Sequence, residues 1–155
     1  IDVACYPEAH PESKSYSSDV DFFKRKVDAG ANSSITQYFY NPDAYFRFVD
    51  YCRTAGIDIP IVPGIMPITN YANLARFSAS CGAEIPRWLH KRLTGFGDDK
   101  ESLRSFGIDV VTELCEDLLQ GGAPGLHFYS MNLSQAVTQI WTNLDLGNRP
   151  QRELL

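Results

Sequence analysis

The segment Tyr6-Pro-Glu-Ala-His-Pro-Glu12 brings an aromatic ring, an imidazole and two carboxylates together, with Pro7 and Pro11 stiffening the backbone. A stiff polar loop of this kind suits ligand contacts, although a solvated surface turn is the plainer use of the same residues. Gln37 is the second candidate, because a neutral amide with donors and an acceptor sits inside the otherwise apolar run Ile35 to Tyr40. A buried amide needs partners, supplied either by the fold or by a heterocycle with donor and acceptor edges. His127 occupies a similar place in a later apolar run and reads as a core histidine satisfied by a neighbour. Lys24, Arg25 and Lys26 cannot all face a core from one helix, so at least one is free to meet an anion. Phe77 would ordinarily be a core residue. The local motifs for a dinucleotide pyrophosphate, a nucleoside triphosphate, acyl transfer or zinc are absent.

These residues must be positioned by regular elements, and the hydrophobic pattern shows which. Ile1 to Tyr6 is an apolar strand ended by Pro7. From Ser18, Val20, Phe23 and Val27 fall on one helical face, with Gly30 past the end. Ser34 to Tyr40 is β-branched and aromatic, so it predicts a second strand. Asn41-Pro42 then caps a helix whose apolar face is Tyr45, Phe48, Val49 and Cys52. Ile59 to Pro67 is a third strand whose ladder Pro63 and Gly64 should end. A helix near Tyr71 to Ser80 follows. The polar stretch between Gly82 and Gly107 reads as an insertion with a short helix at Arg87 to Leu93. Val110, Val111, Leu114, Cys115, Leu118 and Leu119 form a broad stripe stopped by Gly121 and Gly122. Gly125 to Ser130 is a fourth strand. Val137, Ile140, Trp141 and Leu144 mark a last helix, capped by Asn132.

Strand, loop and helix thus occur four times, which specifies an α/β layer of parallel strands joined by right-handed crossovers. Two closures compete: a small doubly wound sheet, or half of an eight-stranded barrel of about 250 residues. The chain opens at Ile1 within a strand, without Met, which favours a fragment and the second closure. Either way, ligands belong at the strands' C-terminal ends.

With 155 residues, 44% hydrophobic and 21% charged, the chain has the make-up of one globular domain. A net charge of -5, with no basic block longer than Lys24 to Lys26, argues against nucleic acid. No apolar run approaches the roughly 18 residues that cross a bilayer, and no signal peptide is evident, so the expectation is a cytoplasmic protein without membrane contact. Cys5, Cys52, Cys81 and Cys115 are widely spaced and read as reduced structural thiols, not as a metal site or a disulfide framework.

Five blocks, in order and register, resemble the methylenetetrahydrofolate reductase family: Val3 to Glu12, Lys24 to Asn32, Ile35 to Phe39, Pro63 to Pro67 and His127 to Asn132. The resemblance implies a (β/α)8 TIM barrel that binds FAD, of which residues 1–155 form the C-terminal half, supplying roughly strands five to eight. It implies hydride transfer from NADH or NADPH through FAD to 5,10-methylenetetrahydrofolate, giving 5-methyltetrahydrofolate for methionine synthesis, in a protein that is a homo-oligomer when full length. Residue by residue, Ala4, Tyr6, His10, Asp19 and Lys26 fall on cofactor-contacting positions, and Gln37, Phe77 and Tyr129 on substrate-contacting ones.

Two departures qualify this expectation. Where the family commonly carries an arginine that helps hold folate, this chain has Leu133. The family's catalytic glutamate and flavin-side aspartate lie on earlier strands, so no catalytic residue is assigned here, and the segment alone is expected to be inactive. Its two open sheet edges predict poor solubility or self-association without the other half. A non-catalytic α/β ligand-binding or interaction domain on the same scaffold is the alternative. An unrelated phosphate-handling barrel enzyme ranks behind both.

Overall fold

A computed structural model describes residues 1–148. β1 (Asp2–Cys5), β2 (Ser33–Thr36) and β3 (Ile61–Val62) form a parallel sheet in that order, and β4 (Gly64–Ile65) pairs in parallel with β5 (His127–Phe128). Between them run α1 (Tyr16–Asp28), α2 (Pro42–Thr54), α3 (Tyr71–Cys81), α4 (Arg87–Gly95) and α5 (Lys100–Gln120), and α6 (Ser134–Asn143) follows β5. Four strand-and-helix units therefore stand as the hydrophobic pattern predicts, with every strand pair parallel.

Pro63 ends the ladder with β2 at Val62, as expected, but Gly64 does not end pairing: it opens a second ladder with β5. Lacking an N–H, Pro63 cannot donate to β2, but its carbonyl accepts the His127 N–H at 3.0 Å. The next N–H, that of Gly64, donates to the Thr36 hydroxyl at 2.9 Å instead of to a backbone carbonyl. One strand thus serves β2 with its first half and β5 with its second. Thr36 is fully buried. Thr36→Val keeps the shape and strands the Gly64 N–H, so a loss of about 1 to 3 kcal/mol is expected in urea unfolding. A loss near zero would mean that another acceptor takes that N–H.

Capping decides the helix ends. Ser15 accepts from Ser18 N, and Ser18 Oγ accepts in turn from Ser15 N, a capping box that starts α1 at Tyr16, two residues ahead of the predicted Ser18. Asn41 caps α2 with Pro42 in its first turn, as expected. Asn132 does not cap α6. It lies in the left-handed region at φ 60°, and Leu133 takes the cap position without a side-chain bond. Gly107, expected to bound an insertion, lies buried inside α5, because a side chain there would collide with the backbone of Ile68. The strands β2 and β5 are shorter than the apolar runs that predict them. Trp141 is half exposed, while Ala136, Ile140 and Leu144 carry α6 into the core.

The core is continuous, with Phe39, Phe48, Ile57, Ile65, Leu89, Leu118 and Ile140 all under 2% exposed. All four cysteines are free, and Cys5, Cys52 and Cys115 are buried. Burial pushes those three thiols up to about 12 from an ordinary 9.0. Between those values the unfolded chain holds fewer protons than the folded one, so stability should be level below about pH 9 and fall as pH rises toward 12. Thermal melts at about pH 8 and about pH 10.5 will read that fall, and equal melting temperatures would refute it. Among the described residues, no helix is long and apolar enough to cross a membrane.

Candidate functional site

The loop that leaves β1 is folded by its own polar groups. Ala9, at φ 69°, turns the chain, with its N–H on the Tyr6 carbonyl at 3.2 Å. The Asp19 carboxylate at the start of α1 accepts the His10 N–H at 3.0 Å and the Ser13 hydroxyl at 2.9 Å. The His10 Nδ1 accepts from the Glu12 N–H at 3.1 Å, which leaves Nε2 as the protonated nitrogen of the neutral ring. That ring meets Tyr6 edge-on at 4.7 Å.

The three basic residues of α1 separate. Lys24 pairs with Asp28 at 2.6 Å, the Arg25 guanidinium lies over the Phe22 ring, and the Lys26 ammonium reaches the Ala4 carbonyl at 2.9 Å. Ala4, Tyr6, His10, Asp19 and Lys26 therefore lie together around the end of β1. Lys26 has two further donors, and the Asp19 oxygens keep lone pairs in excess of their two bonds.

Gln37 follows β2 beside this cluster. Its N–H donates to the Cys5 carbonyl at 2.8 Å, and its Oε1 accepts the Tyr38 N–H at 3.0 Å. Both explanations of the amide thus hold a part of it: the fold takes Oε1, and among the described residues nothing takes Nε2. Tyr6 and Gln37 border the same small recess. Next in the chain, the Tyr38 hydroxyl meets Ser78 Oγ at 3.0 Å and accepts from the Cys81 thiol at 3.5 Å, fastening α3 to the end of β2.

Phe77 and Tyr129 lie on a second cavity, of about 290 Å³, between α3 and the loop after β5. Phe77 is not a core residue: it is 38% exposed, with the Arg76 guanidinium 5.5 Å from its ring centre. Tyr129 is held by its hydroxyl, which donates to the Thr36 carbonyl at 2.9 Å, and by its ring, edge-on to Tyr38 and His127. His127 is half-buried. Met131 and Leu133, each more than half exposed, form the opposite rim. Burial raises the phenols of Tyr6, Tyr38 and Tyr129 above their ordinary value, so all three stay uncharged at neutral pH.

The predicted residues fall into two adjoining groups, one at the end of β1 and one on the cavity, bridged by Thr36, Tyr38 and Tyr129. Of that bridge, sequence reading named Tyr129 and missed Thr36 and Tyr38. Thr36 and Gly64 look like ordinary strand residues, and only the Pro63 beside Gly64 signals that an N–H there needs an unusual partner. It also missed Asn73, which lines the cavity with Phe77. Their i, i+4 spacing on a helix is the signal that could have found it.

Parallel strands joined by helices define an α/β protein, a class of fold in which ligands commonly bind at the strands' C-terminal rim. The chain belongs to the methylenetetrahydrofolate reductase family, whose profile matches residues 1–145. It is 42% identical over 155 residues to methylenetetrahydrofolate reductase (NADH) 1 of Arabidopsis thaliana, covering 94% of this chain and 26% of that protein. It is 41% identical over 150 residues to 5,10-methylenetetrahydrofolate reductase of Escherichia coli, covering 97% and 50%. The chain thus spans about half the length of the bacterial relative and about a quarter of the plant one. Among solved structures it resembles an uncharacterized protein from Clostridium thermocellum, described as binding two copies of 5-methyl-5,6,7,8-tetrahydrofolic acid. The TM-score is 0.59 at 23% identity, over 94% of this chain and 52% of that one, a likeness of fold.

Proposed function

We propose that residues 1–155 form the C-terminal half of a (β/α)8 TIM barrel, roughly strands five to eight, in a FAD-dependent, cytoplasmic, homo-oligomeric reductase. That enzyme reduces 5,10-methylenetetrahydrofolate to 5-methyltetrahydrofolate with NADH or NADPH, the step of one-carbon metabolism that feeds methionine synthesis. The observation that carries this reading is the meeting of two groups at one rim: the polar cluster of Ala4, Tyr6, His10, Asp19 and Lys26, and the aromatic cavity of Phe77 and Tyr129.

The cluster fits FAD by the chemistry of its donors. Lys26 has N–H groups to spare for a pyrophosphate, His10 offers Nε2–H, and Asp19 can accept from ribityl or ribose hydroxyls. When bound, FAD supplies the hydride chemistry that lets nicotinamide and folate react in turn at one place. Gln37 Nε2 is available to the acceptor edge of a pterin, and Phe77 offers a ring face to a pterin or a nicotinamide. The neutral phenol of Tyr129 borders the same space. The catalytic acid belongs to strands outside this segment, so the 155-residue chain alone turns over no NADH or NADPH.

Leu133, 61% exposed at the cavity rim, favours a second reading: a non-catalytic ligand-binding or interaction domain, because it brings no charge where the family commonly has one. Titration with FAD, followed by flavin fluorescence, separates the two. The catalytic reading expects saturable binding that Lys26→Ala weakens about tenfold through loss of a charge-assisted contact. Absence of flavin binding, both alone and with the missing half-barrel supplied, would sink it.

A further inference from the structure

The loop between Tyr6 and Glu12 does not end its contacts at β1 and α1. The Glu8 carboxylate crosses to the connection after α3 and accepts the Glu84 N–H at 2.8 Å, a bond spanning 76 residues. Beside it, Pro11 packs on Gly82, the left-handed residue that ends α3 at φ 73°. A side-chain carbon at Gly82 would stand 2.6 Å from Pro11 Cγ. The space left between loop and helix end is about 10 Å³, barely the room one water needs. Gln37 and Cys81 border it too.

We infer that Glu8 is a positioning residue: with Pro11 on Gly82 it clasps the loop carrying Tyr6 and His10 to the helix carrying Phe77, so that the two groups at the rim move as one body. The chemistry suits the task. An ionised carboxylate makes a stronger bond to a backbone N–H than a neutral acceptor does, and the fit of Pro11 on Gly82 tolerates no side chain between them. Burial raises the Glu8 carboxyl above its usual range; the bond from the Glu84 N–H opposes that rise and the Glu84 carboxylate adds to it. Tyr38, which bonds Ser78 and Cys81, borders the same recess, so two sets of contacts hold the end of α3. The clasp itself stands on contacts within this chain; its effect on ligands rests on the function proposed above.

Amide hydrogen exchange on the chain without ligand tests the clasp directly. Glu8→Ala should speed exchange at Glu84 roughly tenfold, and at Ala9 and Gly82 together, by opening loop and helix end as a unit. Glu8→Gln retains a carbonyl acceptor of the same reach without the charge and should restore part of the protection. Glu8→Asp keeps the charge, lacks the reach and should not. With the whole barrel assembled, Glu8→Ala should weaken FAD binding and raise the folate KM by similar factors, each about tenfold, with Glu8→Gln between Glu8→Ala and wild type in both. Unchanged exchange at Glu84, or a rise there without Ala9, overturns the clasp. Altered exchange with unchanged FAD affinity and folate KM overturns its positioning role. A wild-type protein that binds no flavin would instead refute the proposed function, leaving the exchange result to decide the clasp.

Discussion

Replacing Gly64 with alanine is expected to destabilise the chain by roughly 3 kcal/mol, an effect at the upper end for a single methyl group added to a core. The new carbon would stand 2.2 Å from the Thr36 carbonyl oxygen and 2.6 Å from Cε2 of Tyr129. The carbonyl is backbone in a paired strand and cannot retreat. The same oxygen accepts the Tyr129 hydroxyl at 2.9 Å, so moving the ring breaks the bond that places it. Strand pairing and cavity wall are therefore damaged together. The measurements are urea unfolding, for the loss, and near-ultraviolet circular dichroism, for the displaced tyrosine. Gly95→Ala is the control: a carbon there meets nothing within 4 Å, and at the last position of α4 it should cost nothing and gain at most about 1 kcal/mol. A loss below about 1 kcal/mol for Gly64→Ala, with the tyrosine spectrum intact, would contradict the packing described here.

The second large effect is at Gly107, where two forces oppose one another. Glycine inside a helix costs about 1 kcal/mol relative to alanine, so helix propensity alone predicts a gain from substitution. The neighbourhood predicts the reverse: a side-chain carbon would lie 2.3 Å from the Ile68 carbonyl oxygen and 2.8 Å from Ile68 Cβ. Ile68 is only 1% exposed and has nowhere to go. Overpacking against fixed backbone costs more than the propensity gain, so Gly107→Val is expected to lose about 2 kcal/mol or more net. Because Met66, Pro67 and Thr69 line the cavity, the push on Ile68 should also reshape that space. Denaturant unfolding gives the sign, and a stabilised variant would show that α5 can shift away from this loop.

How much of this was legible beforehand varied with the range of the interactions. Local signals read true: Asn41-Pro42 starts α2, and the glycines after α1, α2 and α5 sit where those helices close. The α/β order followed from alternating apolar strands and amphipathic helices. Interactions between distant segments were not legible. Gly107 resembles a break, and only contact with Ile68, far off in sequence, explains a glycine inside a helix. Asn132 has the chemistry of a cap, yet the turn after β5 puts it in the left-handed region, where it cannot serve. At the site, the residues carried over from the family lie close to one another. What joins the two groups acts through partners across the fold: Thr36, Tyr38 and Glu8 carry no local mark of that role, and Gly64 is marked only by the Pro63 beside it.

The change of partner at Pro63 also sets an order of assembly. The first three strands are joined by short connections, each with one helix, and can pair while the chain is still being synthesised. β4 must wait for β5, and the Tyr129 hydroxyl reaches back 93 residues to Thr36. Contacts that close long loops form late in folding. The polar cluster at the end of β1 should therefore form first, and the aromatic cavity should be the last part to take shape.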